Sequence, residues 1–117
     1  MTGSTPRPIR PDEASLVSWM LTHASMIGPL EHLLAAASTL QVRDRCQCGC
    51  GSLAFSTAGE GVRCQPIAEA MCRSASGELV EVIVWGTPTA VTGLEVIVPA
   101  PEVADLPSLG ALSPAYC

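Results

Sequence analysis

Three thiols fall within five residues in the stretch Arg45-Cys46-Gln47-Cys48-Gly49-Cys50-Gly51. On a straight strand, residues two apart face one side. The sulfurs of Cys46, Cys48 and Cys50 would then project the same way, about 7 Å apart per step. Bonds from sulfur to zinc are about 2.3 Å long, so one ion holds these sulfurs only if the backbone curls. Gly49 and Gly51 permit that curl and leave amides free to donate to thiolate sulfur. A structural zinc site usually draws on two Cys or His pairs with two to four residues between ligands. Here the spacing is one residue shorter and the second pair is missing, so Cys64, Cys72, His23 or His32 would have to complete the shell. Three chemistries fit the cluster. Cys46, Cys48 and Cys50 can hold zinc or Cu(I), with Cys64 and Cys72 as second-rank ligands. They can be reduced thiols packed as small apolar side chains. Or they can carry redox or disulfide chemistry, which Arg43 and Arg45 would favour by lowering a nearby thiol pKa.

The other candidates for chemistry are single residues. His23 and His32 fall on helical patterns, where a lone His is ordinarily a surface or boundary residue. Cys72 reads as a core residue of a strand, and Cys117 as an exposed, incidental thiol. A Cys–His nucleophilic pair lacks any accompanying signature. There is no Gly-rich phosphate loop ahead of a helix, no Ser-centred elbow and no His-Glu-x-x-His.

The elements that position these residues follow from periodicity. Pro6, Pro8 and Pro11 mark residues 1–10 as a disordered leader, with 11–117 as a single α+β domain. Asp12 is placed as an N-cap with Glu13 in the first turn. Leu16, Trp19, Met20, His23 and Ile27 recur at helical spacing, predicting a helix over 12–27. Gly28-Pro29 ends it, and Leu30, Leu33, Leu34 and Ala37 mark a second helix over 29–38. From Leu40 the period becomes two, giving strands that start at Leu40 and at Ser52. Residues 67–73 are read as a strand because Ser74-Ala75-Ser76-Gly77 follows as a hairpin loop. The run 79–85 is the clearest strand and is expected to be central and buried on both faces. Gly86-Thr87-Pro88 is expected to break it, with a last strand over 94–98. Trp19 and Trp85 are taken as core anchors, and Glu78, Glu81 and Glu95 as solvated. Short connections force antiparallel neighbours, so the expected fold is α+β: two N-terminal helices packed on a four- to five-stranded antiparallel meander.

Composition limits the partners. Aromatic residues make up only 3% of the chain, so few stacking surfaces exist for bases or sugars. The net charge is −5 and every basic residue is an Arg, of which Arg73 is the last. Glu78, Glu81, Glu95, Glu102 and Asp105 follow it. Without a basic stripe the chain is unsuited to nucleic acid. No apolar stretch is long enough to span a bilayer, and no signal segment is visible, so a cytoplasmic location and no membrane partner are expected. There cysteines are held as thiols or metal ligands.

Arg45-Cys46-Gln47-Cys48-Gly49-Cys50, with the later Leu94-Glu95-Val96, resembles a group of small bacterial proteins that form a domain of unknown function. In that group an Arg-Cys-x-Cys-Gly-Cys element follows helices, and a Leu-Glu-Val strand comes near the end. The resemblance covers about residues 30–98 and implies a bacterial origin but no catalytic role. The expected function is a non-enzymatic protein-binding module with a structural Cys cluster. The alternative is a zinc- or copper-binding protein using Cys46, Cys48 and Cys50. An enzyme with a Cys nucleophile ranks third. Replacing Cys48 with Ser separates the first two: a metal site loses bound metal and several kcal/mol of stability. A packed thiol loses about 1–3 kcal/mol with no change in metal content. Denaturant melts and elemental analysis of the purified protein measure both, and a variant unchanged in both would show the residue to be idle.

Overall fold

The computed structural model describes residues 6–25, 31–45, 52–55, 64–73, 77–87, 89–97 and 113–114, with backbone alone at 44, 45, 113 and 114. Its elements are β1 (Arg7–Pro8), α1 (Pro11–His23), α2 (Glu31–Ala37), β2 (Gln41–Arg45), β3 (Leu53–Phe55), β4 (Gln65–Arg73), β5 (Leu79–Thr87), β6 (Ala90–Ile97) and β7 (Ser113–Pro114). The class is α+β, with two helices and an antiparallel sheet, as the sequence predicts. The strand count is not: among the described residues the sheet has seven strands in the order β1-β2-β3-β6-β5-β4-β7. Of these, β1 and β7 are two-residue pieces at the two edges.

Nor is the sheet a simple meander. The tight β4–β5 and β5–β6 connections make those strands antiparallel neighbours. β3 then pairs with β6, Leu53 opposite Leu94, on the flank that β5 leaves free. The spatial order β3-β6-β5-β4 is a Greek key, with the long link between β3 and β4.

The N-terminal residues from Pro6 onward meet this sheet, where the sequence reading expected a leader over residues 1–10; residues 1–5 lie outside the described residues. Arg7 and Pro8 pair with Val42 and Gln41. The Ile9 amide donates to the Leu40 carbonyl at 2.9 Å, and the Ile9 side chain joins the core. The prolines do not prevent this, because an edge strand need not donate every amide. Arg10, not Asp12, is the N-cap of α1, with Pro11 at the first helical position. The Arg10 amide donates to Glu13 Oε1 at 2.9 Å. The Arg7 guanidinium donates to both Glu13 oxygens at 2.9 Å, a bidentate pair. Glu13, only 3% exposed, therefore clamps the start of α1 to β1.

α1 buries Leu16, Val17, Met20 and Leu21 and closes at the Ala24 cap, short of the predicted residue 27. The Gly28-Pro29 kink lies outside the described residues. α2 falls within the predicted 29–38 and buries Leu33 and Ala37. Both helices lie on one face of the sheet, α1 against β4 and β5 and α2 against β6. They meet Ile67, Ala68, Ala70, Val80, Val82, Val84, Leu94 and Val96, with Phe55 fully buried, in one core.

β5 is central, as expected, but it is buried on one face only. Val80, Val82, Val84 and Gly86 are buried, while Leu79 and Glu81 are exposed and Ile83, Trp85 and Thr87 are half-buried. Trp85 is thus not a core anchor. Gly86 does not break the strand either. It lies within β5 because a Cβ there would meet the Ala90 carbonyl oxygen at 2.5 Å and Ile67 Cδ1 at 2.9 Å. The turn comes one residue later. Thr87 Oγ1 accepts from the Thr89 and Ala90 amides at 3.2 and 3.1 Å, which starts β6 at Ala90 rather than 94. A register shift opposite Trp85 and Gly86 leaves Thr92 unmatched, a bulge that turns both Val91 and Thr92 into the core.

The Glu13 clamp carries a pH signature. Burial opposes ionisation of Glu13, but the hydrogen bonds from Arg7 and the Arg10 amide, with the two guanidinium charges, outweigh it and lower its pKa. A lowered folded-state pKa gives stability that is complete above the unfolded value, near 4.5, and is lost as pH falls through the folded value. Glu13→Gln should cost about 1–3 kcal/mol at neutral pH, a range that allows for the half-exposed Arg7. The difference from wild type should shrink below about pH 4. Denaturant titrations of both proteins across that range check this; a gap that stays constant into acid would refute the clamp.

Candidate functional site

Cys46, Cys48 and Cys50 lie outside the described residues, between Arg45 and Leu53, which pair across the β2–β3 hairpin. The structure does place the second-rank ligands. Cys64 immediately precedes β4 and is exposed. It accepts a hydrogen bond from Thr92 Oγ1 at 3.0 Å. Cys72 lies near the other end of β4, opposite Val80, and points into the core. Burial pushes its thiol pKa up. At about 3.3 Å per residue the two are about 26 Å apart, so they cannot share one ion, and at most one could serve a shell with the cluster.

The histidines are surface residues, as read from the sequence. His23 stacks on Trp19 with ring centroids 4.9 Å apart. Its Nδ1 lies 3.2 Å from the Trp19 carbonyl oxygen, which makes that nitrogen the donor. His32 is exposed on α2. Among the described residues no three Cys, His, Asp or Glu side chains come together as a metal site. No described helix is long and apolar enough to cross a membrane.

What the fold does assemble is the sheet face turned away from the helices. Three rows cross it in register. Pro66, Trp85 and Gly93 form the first; Glu69, Ile83 and Glu95 the second; Met71, Glu81 and Ile97 the third. Leu79 and Arg73 extend it beyond the third row. The second and third rows form a checkerboard of apolar side chains and carboxylates, and the first row carries no charge. Trp85 donates its indole N–H to Glu95 Oε1 at 3.0 Å, which fixes the ring across the β5–β6 pair. Gly93, directly opposite Trp85, has only Trp85 Cβ and the Leu53 carbonyl within 4 Å of a Cβ built there. Among the described residues, Leu79 and Ile97 are the large apolar side chains most open to solvent, 39% and 40% exposed. No described helix or strand covers this face.

The sheet edges, by contrast, are covered in part. Along β4, the Ser25 bridge meets Ala68, the Glu69 amide donates to the Ala24 carbonyl, and β7 pairs with Ala70 and Met71. At the opposite edge β1 covers Val42 and Gln41, and its Pro8 offers no amide. Addition of a foreign strand is blocked at these positions.

Comparison with protein-family models, with curated proteins and with solved structures found no match to this chain.

The open face was missed by the sequence reading, which took 79–85 as an unbroken apolar run. The signal was Glu81. A charge two residues from Leu79 and from Ile83 marks the odd-numbered side of the strand as the wet one, and Trp85 shares that parity. The thiols give a direct check on the placement. Under native conditions iodoacetamide should alkylate Cys64 readily and reach Cys72 only on unfolding, as read by peptide mass spectrometry. Equal labelling rates at the two sites would overturn the assigned faces of β4.

Proposed function

We propose that the chain is a protein-binding module that docks its partner on the open face of β4, β5 and β6. The observation that carries this reading is Trp85. A half-buried indole, oriented by its bond to Glu95, lies beside Ile83 and shares with Met71, Leu79 and Ile97 a face that no described element covers. Contiguous apolar surface is costly to leave wet, and aromatic anchors ringed by polar groups are typical of binding patches. The carboxylates of the same face repel phosphate, which disfavours nucleic acid as the occupant. The cytoplasm suits this reading, because a reducing compartment keeps thiols such as Cys64 and Cys72 reduced.

A paired capture experiment tests it. Leu79→Glu with Ile97→Glu alters the two exposed large apolar residues of this face and should leave thermal stability within about 1 kcal/mol of wild type. Wild type should retain a stoichiometric partner from native lysate that the double variant loses. Equal retention by both proteins would move the interface elsewhere.

A further inference from the structure

We infer that the occupant of the open face is a cationic amphipathic helix, its apolar stripe on Trp85 and Ile83 and its Lys or Arg residues on Glu69, Glu81 and Glu95. This rests on the docking reading above and specifies the partner. The register places the three carboxylates around one apolar residue. Glu69 and Glu95 flank Ile83 directly on either side, and Glu81 is diagonal to both. Neighbouring strands are about 4.8 Å apart, which sets Glu69 and Glu95 about 10 Å from one another. Diagonal neighbours are about 7–8 Å apart. Like charges at such separations repel, and solvent relieves this only while the face is wet. Covering the face with a neutral apolar surface would desolvate three carboxylates, of which Glu95 alone keeps the Trp85 hydrogen bond, whereas a cation beside each turns that cost into attraction.

Among the described residues of the three strands little is present to neutralise them. Arg73 is the one basic residue in the three strands, and its guanidinium donates to the Gly77 carbonyl at 3.1 Å. Arg7 and Arg10 are engaged with Glu13 and Asp12 at the start of α1. A second copy docking by the same face would oppose two sets of three carboxylates, which favours a different partner. The segments that cover β4 at residues 68–71 and β2 at Gln41 and Val42 disfavour an added strand there, and the proposed contact is made by side chains against the face. A helix laid across the strands, as α1 is on the other side, supplies both an apolar stripe and flanking charges.

The test uses the intact protein with Trp19→Phe, which leaves Trp85 as the only indole. Three synthetic amphipathic helices about five turns long serve as probes, with leucine on one face and lysine, glutamine or glutamate on the other. The lysine helix should shift Trp85 emission to the blue, saturate, move the amide resonances of β4–β6, and weaken as salt rises. A Glu69→Gln, Glu81→Gln, Glu95→Gln variant should bind the lysine helix about tenfold more weakly, while its side-chain amide oxygen at position 95 still accepts from the indole. A glutamine helix binding as tightly as the lysine helix, or an unaffected triple variant, would overturn the cationic assignment and leave the docking face standing. Concentration-dependent shifts of the same amides without peptide would assign the face to a second copy and overturn the inference. Failure of every helix to perturb β4–β6 would overturn the helix inference, while the capture experiment with Leu79→Glu and Ile97→Glu decides the docking reading.

Discussion

A strand shows each neighbouring layer only every second side chain, and on β5 the helices take the even-numbered half. Val80, Val82 and Val84 meet α1 and the core, so Leu79, Glu81, Ile83 and Trp85 must face the other way. The eight residue pairs that join β5 to β4 and its pairing with β6 carry the same parity across the sheet. One decision about which side of β5 is dry thus settles which residues of three strands are wet. The arrangement of carboxylates around Ile83 is a consequence of that decision and could not survive a one-residue slip.

Two local devices hold the parity in place. At the bottom of the β5–β6 turn, Gly86 lets the Ala90 carbonyl approach where any side chain would collide. The Thr87 hydroxyl then gathers the amides that follow. At the N-terminus, Glu13 gathers the Arg7 guanidinium and the Arg10 amide, fixing α1 relative to the β1 edge. Neither device belongs to the open face, yet both constrain the layer that leaves it open.

The class, both helices and the central place of β5 were legible in the sequence, because long periodic runs signal element type strongly. The ends were less so. Gly86-Thr87-Pro88 reads as a breaker in isolation, and only the packing of Ile67 and the Ala90 carbonyl shows that glycine is needed inside the strand. The role of Arg7 was hidden because a partner six residues away, across a strand-to-helix corner, leaves no periodic trace. The strand order was hidden for a similar reason: local turns fix β4-β5-β6, but the pairing of β3 with β6 depends on tertiary fit. The cysteines drew attention by their density, whereas the open face is made of common residues whose meaning lies in their parity.

The pairing of β3 with β6 also bears on how the chain reaches this state. Ser52 Oγ accepts from the Val96 amide, and the two residues are 44 apart in sequence. The β4–β5 and β5–β6 hairpins close short loops and can form with little loss of chain entropy, while β3 must wait for the rim of β6 to exist. The three-residue β3 is thus a latecomer, and until it docks, the hydrogen-bonding rim of β6 is bare. During synthesis and refolding, that rim is where one molecule could capture a strand from another.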